Sequence, residues 1–224
     1  MENFDSSFFR KESNTPAPRP TDNKLSKSTE KWSLELLEVT LHPSFGGFIN
    51  QILGRDERIH FVSFSWDYNR LSHPNESYLN FVGNCSPMEL NPGNSHTYQN
   101  GGLSLFPNRR VIDSLNLALF VFNNKNDKKS VDPLMDEIGN KINSSLLSQE
   151  LAELTEENTV DRKEYIVFLA DQLKQDIETM ITDYGTKHIS TFSLKYDVND
   201  NSKFVGMSHH LQNFVRVCFN KRKL

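Results

Sequence analysis

Cysteine is scarce: Cys85 and Cys218 are the only two among 224 residues. That excludes a disulfide framework and every CxxC metal or redox arrangement. Long apolar runs are absent, so no segment approaches the roughly 20 residues of a membrane-spanning helix. The start, Met1-Glu2-Asn3-Phe4-Asp5, lacks the basic and apolar stretches of a secretory leader, which sets a cytoplasmic expectation and leaves non-classical export open. Charge of one sign is also missing. The net −4 supplies no global attraction to nucleic acid, and the basic pieces at Arg109-Arg110 and Lys221-Arg222-Lys223 are short. Gly46-Gly47 and Gly101-Gly102 lack the spacing and the Lys-Ser/Thr of a phosphate loop. There is no GxSxG elbow and no HExxH. His209-His210 is the only histidine pair, and on a strand its two side chains point to opposite faces, unable to share a metal.

What the chain does have is phenylalanine, 16 residues of it, enough to argue for a packed core. It also has an uneven charge. From 133 to 185 there are 12 acids against 4 bases, −12 + 4 = −8, so the remainder carries +4. A solvated outer helix face accounts for this acidity, and an acidic docking surface is the sharper alternative.

The pattern is organised around residues 112–122. Leu115, Leu117, Leu119 and Val121 share one face at period two, and Ile112, Ala118, Phe120 and Phe122 share the other. A strand apolar on both faces is a central strand covered on both sides. Upstream, residues 1–31 are rich in Ser, Thr, Asn, Pro and Lys, with Thr15-Pro16-Ala17-Pro18-Arg19-Pro20 of polyproline type; they read as a flexible tail. Phe4, Phe8 and Phe9 stand out in it as candidate partner-binding residues. Order is expected from Trp32. Strands are expected at 34–41, with Leu37, Val39 and Leu41 on one face, and at 59–66, with His60, Val62, Phe64 and Trp66 on one face. Residues 48–53 fit helix or strand. Residues 67–100, dense in Asn, Pro, Gly and Ser, read as long loops with one or two short strands.

Two amphipathic helices follow. One carries Leu134, Ile138, Ile142, Leu147, Leu151 and Leu154 in a single stripe, with Asp132 as N-cap and Pro133 in the first turn. The other keeps Ile166, Leu169, Leu173, Ile177, Met180, Ile181 and Tyr184 at helical spacing and stops at Gly185. Strand patterns return at 188–196, and 211–219 reads as one last strand with Leu211, Asn213, Val215, Val217 and Phe219 toward the core.

Candidate chemistry centres on the 67–100 loops. Asp67 with Glu76 or Glu89 would suit a glycosidase-type carboxylate pair, and Trp66, Tyr68, Tyr78 and Tyr98 would suit stacking on a sugar or a partner. Cys85 with His73 or His96 would suit a thiol nucleophile, although nothing in the sequence lowers a thiol pKa there.

The segment Leu117 to Gly139 runs from a core strand through an Asn/Asp-rich loop into Asp136-Glu137-Ile138-Gly139. It resembles the last third of C2-type β-sandwich domains. The resemblance implies a sandwich fold. It does not imply calcium or phospholipid binding, because Lys125, Lys128 and Lys129 and three asparagines dilute Asp127 and Asp132 in that loop.

These observations give a mostly β or α+β chain: an antiparallel β-sandwich, C2-like by that resemblance, with an inserted helical hairpin. The expected organisation is a tail at 1–31 and one domain at 32–224 with the helices inserted at 133–185. The expected function is a non-catalytic binding or assembly module that meets a protein partner through the sandwich surface or the tail. A hydrolase or effector with its site at 67–100 is the alternative, and C2-like lipid association at a membrane surface the second. No catalytic residue, cofactor or metal site is assigned, nucleic acid is not an expected partner, and the oligomeric state is left open.

Overall fold

A computed structural model of the protein describes residues 31–45, 56–68, 79–111, 113–125, 129–154, 159–197 and 206–223. The candidates Phe4, Phe8, Phe9 and Tyr78, with His73, Glu76 and the segment 48–53, lie outside the described residues.

The described chain forms two antiparallel sheets and a helical layer. The first sheet pairs β1 (Lys31–Leu41) with β10 (Val215–Lys223), and β10 with β9 (Gly206–Gln212). On its other side β1 meets β5 (Ser95–Thr97) and β6 (Leu103–Arg110). The second sheet runs β3 (Asn80–Gly83), β2 (Glu57–Trp66), β7 (Ser114–Asn123), β8 (Lys187–Asp197), with β4 (Met88–Leu90) also on β2. Between β7 and β8 come α1 (Asp132–Asn143), α2 (Leu146–Glu153) and α3 (Thr159–Asp183). Since β7 and β8 are hydrogen-bonded neighbours, the insertion must leave and return at one place, and it folds back over the outer face of its own sheet.

Every residue of β7 is buried, as its two-sided apolar pattern demands. Leu115, Leu117, Leu119 and Val121 enter the inter-sheet core with Leu34, Leu36, Phe61, Val217 and Phe219. Ala118, Phe120 and Phe122 enter a second core with Val62, Phe64 and Trp66 of β2 and the helix stripes. The second sheet is thus covered on both faces. The outer face of the first sheet is polar: Glu38 meets Arg216 at 3.6 Å and Glu35 meets Arg222 at 3.4 Å.

Several local expectations need correction. A bulge in β1 between Leu36 and Glu38 leaves Leu37 half-buried, so Leu34 and Leu36, then Val39 and Leu41, supply its core side. The loop region holds three short strands. The first expected helix is two: Ser145 Oγ accepts from the Ser148 N–H at 3.1 Å and starts α2 afresh. The break absorbs the five-residue step from Ile142 to Leu147, which an unbroken stripe would not accommodate. Val131, not Asp132, is the N-cap of α1, and Ser130 Oγ takes the Asp132 N–H. The last expected strand is a hairpin, β9–β10, turned by Asn213 and Phe214; Asn213 adopts φ 51°, which Asn tolerates, and its exposed side chain donates to the Ile189 carbonyl at 3.1 Å. Gly139, a cost in helix propensity, lets the Phe81 ring edge approach α1: a Cβ there would sit 3.4 Å from it.

Candidate functional site

A sizeable polar cavity lies where β2, the β3–β4 loop and the entry to α1 meet. It measures about 490 Å³ and is lined by Arg58, His60, Cys85, Asn124, Lys129 and Asp132, among others. His60 Nδ1 lies 3.1 Å from the Asn84 carbonyl oxygen, so Nδ1 carries the proton and donates. Its ring stacks on Phe122 at 5.5 Å. Burial holds its pKa below the usual value, with a lesser push from the Arg58 charge, against the Asn84 bond and the Asp132 carboxylate. Cys85 is exposed, and its thiol pKa is raised, first by desolvation and then by a hydrogen bond to Asp132 and the charges of Asp132 and Asp136. A thiol held protonated by a carboxylate is a poor nucleophile.

Two further groups of the rim, Asn124 and Lys129, serve the architecture. Asn124 Nδ2 donates to the Lys129 carbonyl at 2.7 Å. Lys129 Nζ lies 3.4 Å over the Tyr184 ring and donates to the Tyr184 carbonyl. These bonds tie the β7–α1 connection to the end of α3. The sequence pairs Cys85 with His73 or His96, but the structure puts His60 in its cavity. His96 lies on β5 in the other sheet, packed edge-on against Tyr98 at 4.8 Å. Only the β3–β2 pairing, invisible in the sequence, brings position 60 to position 84.

The described aromatic candidates, Trp66, Tyr68 and Tyr98, are not brought together into a platform. Trp66 and Tyr68 are buried in the helix-facing core, and Tyr98 packs edge-on against Phe61 of the inter-sheet core at 6.4 Å. Burial pushes both tyrosine hydroxyls up to about 12. Asp67 follows the last residue of β2 and Glu89 pairs opposite Arg58 near its first, which separates them by about 30 Å along the strand. A retaining or inverting carboxylate pair needs less than 10 Å. Among the described residues, no three His, Cys, Asp or Glu side chains group closely enough to hold a metal ion. None of the described helices is long and apolar enough to cross a membrane.

The apolar surface is more informative. Among the described residues, large exposed hydrophobic side chains fall in two places: Leu146, Tyr165, Val167 and Phe168 on the helices, and Met207, Leu211 and Phe214 on the β9–β10 hairpin. Tyr165 and Phe168, 46% and 52% exposed, stack on each other at 6.4 Å between centroids. One helical turn further along α3, Leu169, Gln172 and Asp176 line a cavity of about 210 Å³ with Leu146 and Ser145 of the α1–α2 junction. At 100° per residue, Tyr165 lies on the same stripe as Leu169, Gln172 and Asp176, with Phe168 at its flank. The stacked rings therefore lie about one turn from that cavity, along the same side of α3. Sequence reasoning missed them because Tyr165 falls at the margin of the core stripe and Phe168 outside it, so both look like incidental surface aromatics.

No family model matches the chain, and no curated protein matches it. Among solved structures, it is similar to one titled Drosophila C2-DSL-EGF1, with a TM-score of 0.35, 8% identity, and coverage of 87% of this chain and 67% of that one.

Proposed function

We propose that the chain is a non-catalytic binding module whose helical insertion docks a protein partner. The stacked, half-exposed pair Tyr165–Phe168 carries the reading. Exposed aromatic side chains of this size are enriched at interface centres, where two rings in contact supply apolar area at little entropic cost. The neighbouring cavity, with exposed Leu146 on its far rim, gives an insertion point for one apolar side chain.

The surrounding charge selects the partner. Glu164 and Asp171 flank the pair and are exposed, and the whole 133–185 segment carries −8. A protein surface with an apolar centre and a basic rim suits it, while an anionic membrane surface is repelled. This departs from the sequence expectation in placing the contact on the helices rather than on the sandwich sheets.

Affinity capture with the full chain tests it, comparing wild type, Tyr165→Ser/Phe168→Ser and, as a control on the outer sheet, Arg216→Ser. One partner retained by wild type and control but lost at least tenfold with the double variant, at unchanged melting temperature, is the expected result. A partner that binds all three chains equally would overturn the helical assignment.

A further inference from the structure

We propose that the chain self-associates through the edge of β9, two copies joining their first sheets into one continuous antiparallel sheet about a two-fold axis at His209. The inference is independent of the helical surface and rests on a different element.

The backbone of β9 determines the geometry. Gln212 and Val215 flank the two-residue turn and are opposite each other, so they form the closing hydrogen-bonded pair. Alternation then directs the N–H and C=O groups of Gln212, His210, Ser208 and Gly206 toward β10. Those of Met207, His209 and Leu211 point outward. No strand among the described residues pairs with that outward edge.

The strand itself carries none of the residue types that usually protect an edge. Gly206–Gln212 contains no Lys, Arg, Asp, Glu or Pro. The opposite margin of the same sheet differs: β6 carries Pro107, Arg109 and Arg110. The free edge of the second sheet also differs, since β8 carries Lys187, Lys195 and Asp197.

A second copy is the occupant the strand itself specifies. Centring a two-fold axis on His209 sets His209 against His209, and Met207 against Leu211 at both ends. All three are then hydrogen-bonded positions, so the pairing closes six backbone bonds. It also joins the two most exposed large apolar side chains among the described residues, Met207 at 71% and Leu211 at 64%, as cross-strand pairs. Moving the axis by half a residue puts inward-facing groups at the seam, and moving it by one, to Ser208 or His210, leaves Leu211 opposite position 205 or Met207 opposite Asn213 of the turn, closing four bonds instead of six. Among the described residues, the arginines of β10 nearest the seam are compensated, Arg216 by Glu38 and Arg222 by Glu35.

Area sets the strength. Seven residues give an edge about 23 Å long. Such a contact buries well under the roughly 800 Å² per partner of a standard interface, which makes the dimer weak and concentration-dependent.

Sedimentation equilibrium of the full chain, from low to high micromolar concentration, tests the proposal. The expected result is a mass that rises from 25.9 kDa toward twice that value. His209→Pro removes an outward N–H and no backbone bond to β10, only the 3.9 Å contact of its Nε2 with Cys218 Sγ, and should weaken association at least tenfold. If proline lowers the melting temperature, Leu211→Lys takes its place, adding one charge at each end of the seam. A wild-type chain that stays monomeric throughout overturns the proposal, whether or not it binds a strand from another protein. So does a dimer that Leu211→Lys leaves unchanged.

Discussion

His60 shows how one side chain's meaning depends on what covers it. Its position on β2 alternates with Val62 and Phe64, and that face is roofed by α1 and the Phe122 ring, so the imidazole is almost wholly buried. Burial holds its pKa below the 6.5 of a free imidazole. Above that value both folded and unfolded chains are neutral here, and the group is without effect on stability. Below it the unfolded chain takes up a proton that the folded chain refuses, so the unfolded state binds more protons and stability falls with falling pH. Half-buried His210, also lowered by burial, acts in the same direction. Urea unfolding at about pH 7.5 and about pH 5.5 should show lower stability at the acid value. His60→Asn should flatten that difference, and an unchanged difference would assign it to other groups.

At the scale of elements, the helical layer is core on one side and surface on the other. Leu173 is 3% exposed, in the stripe of α3 that faces Phe64 and Phe120. Leu173→Asp would place a carboxylate there without a partner and should cost about 3–5 kcal/mol. Thermal unfolding would register this as a fall in melting temperature of about 10 °C, at 2–4 °C per kcal/mol for a chain of this size. Near-wild-type melting would mean that α3 leaves the sheet readily and that its buried stripe, not the Tyr165–Phe168 pair, is offered to partners. Ion pairs between helices, such as Lys141–Asp176 at 2.8 Å and Arg162–Glu150 at 3.1 Å, are half exposed and set orientation more than stability.

For the whole molecule, the first described strand begins at Lys31 and is fully hydrogen-bonded from its start: Trp32 pairs with Lys223 on one side and with Arg109 on the other. The chain without residues 1–30 therefore retains every described ladder. Deleting them should leave the melting temperature within about 2 °C of wild type, less than 1 kcal/mol. A loss of several degrees would show that Phe4, Phe8 and Phe9 contribute to the fold.

The sequence by itself determined the elements whose pattern is strong and local. The two-sided apolar run at 115–122, the stripe from Ile166 to Ile181 and the stop at Gly185 each follow from side-chain period and turn chemistry, which are written in neighbouring residues. It also determined the sandwich with inserted helices, since one strand apolar on both faces followed by amphipathic helices leaves few other layerings. Tertiary structure alone decided the rest. Whether Trp66 is a binding platform or a core ring depends on the helices laid over it. Whether His60 or His96 shares a cavity with Cys85 depends on strand pairing across 24 residues, and whether Leu211 faces the core or the solvent depends on a two-residue turn. These are non-local contacts, and period or propensity along the chain carries no record of which segments will meet.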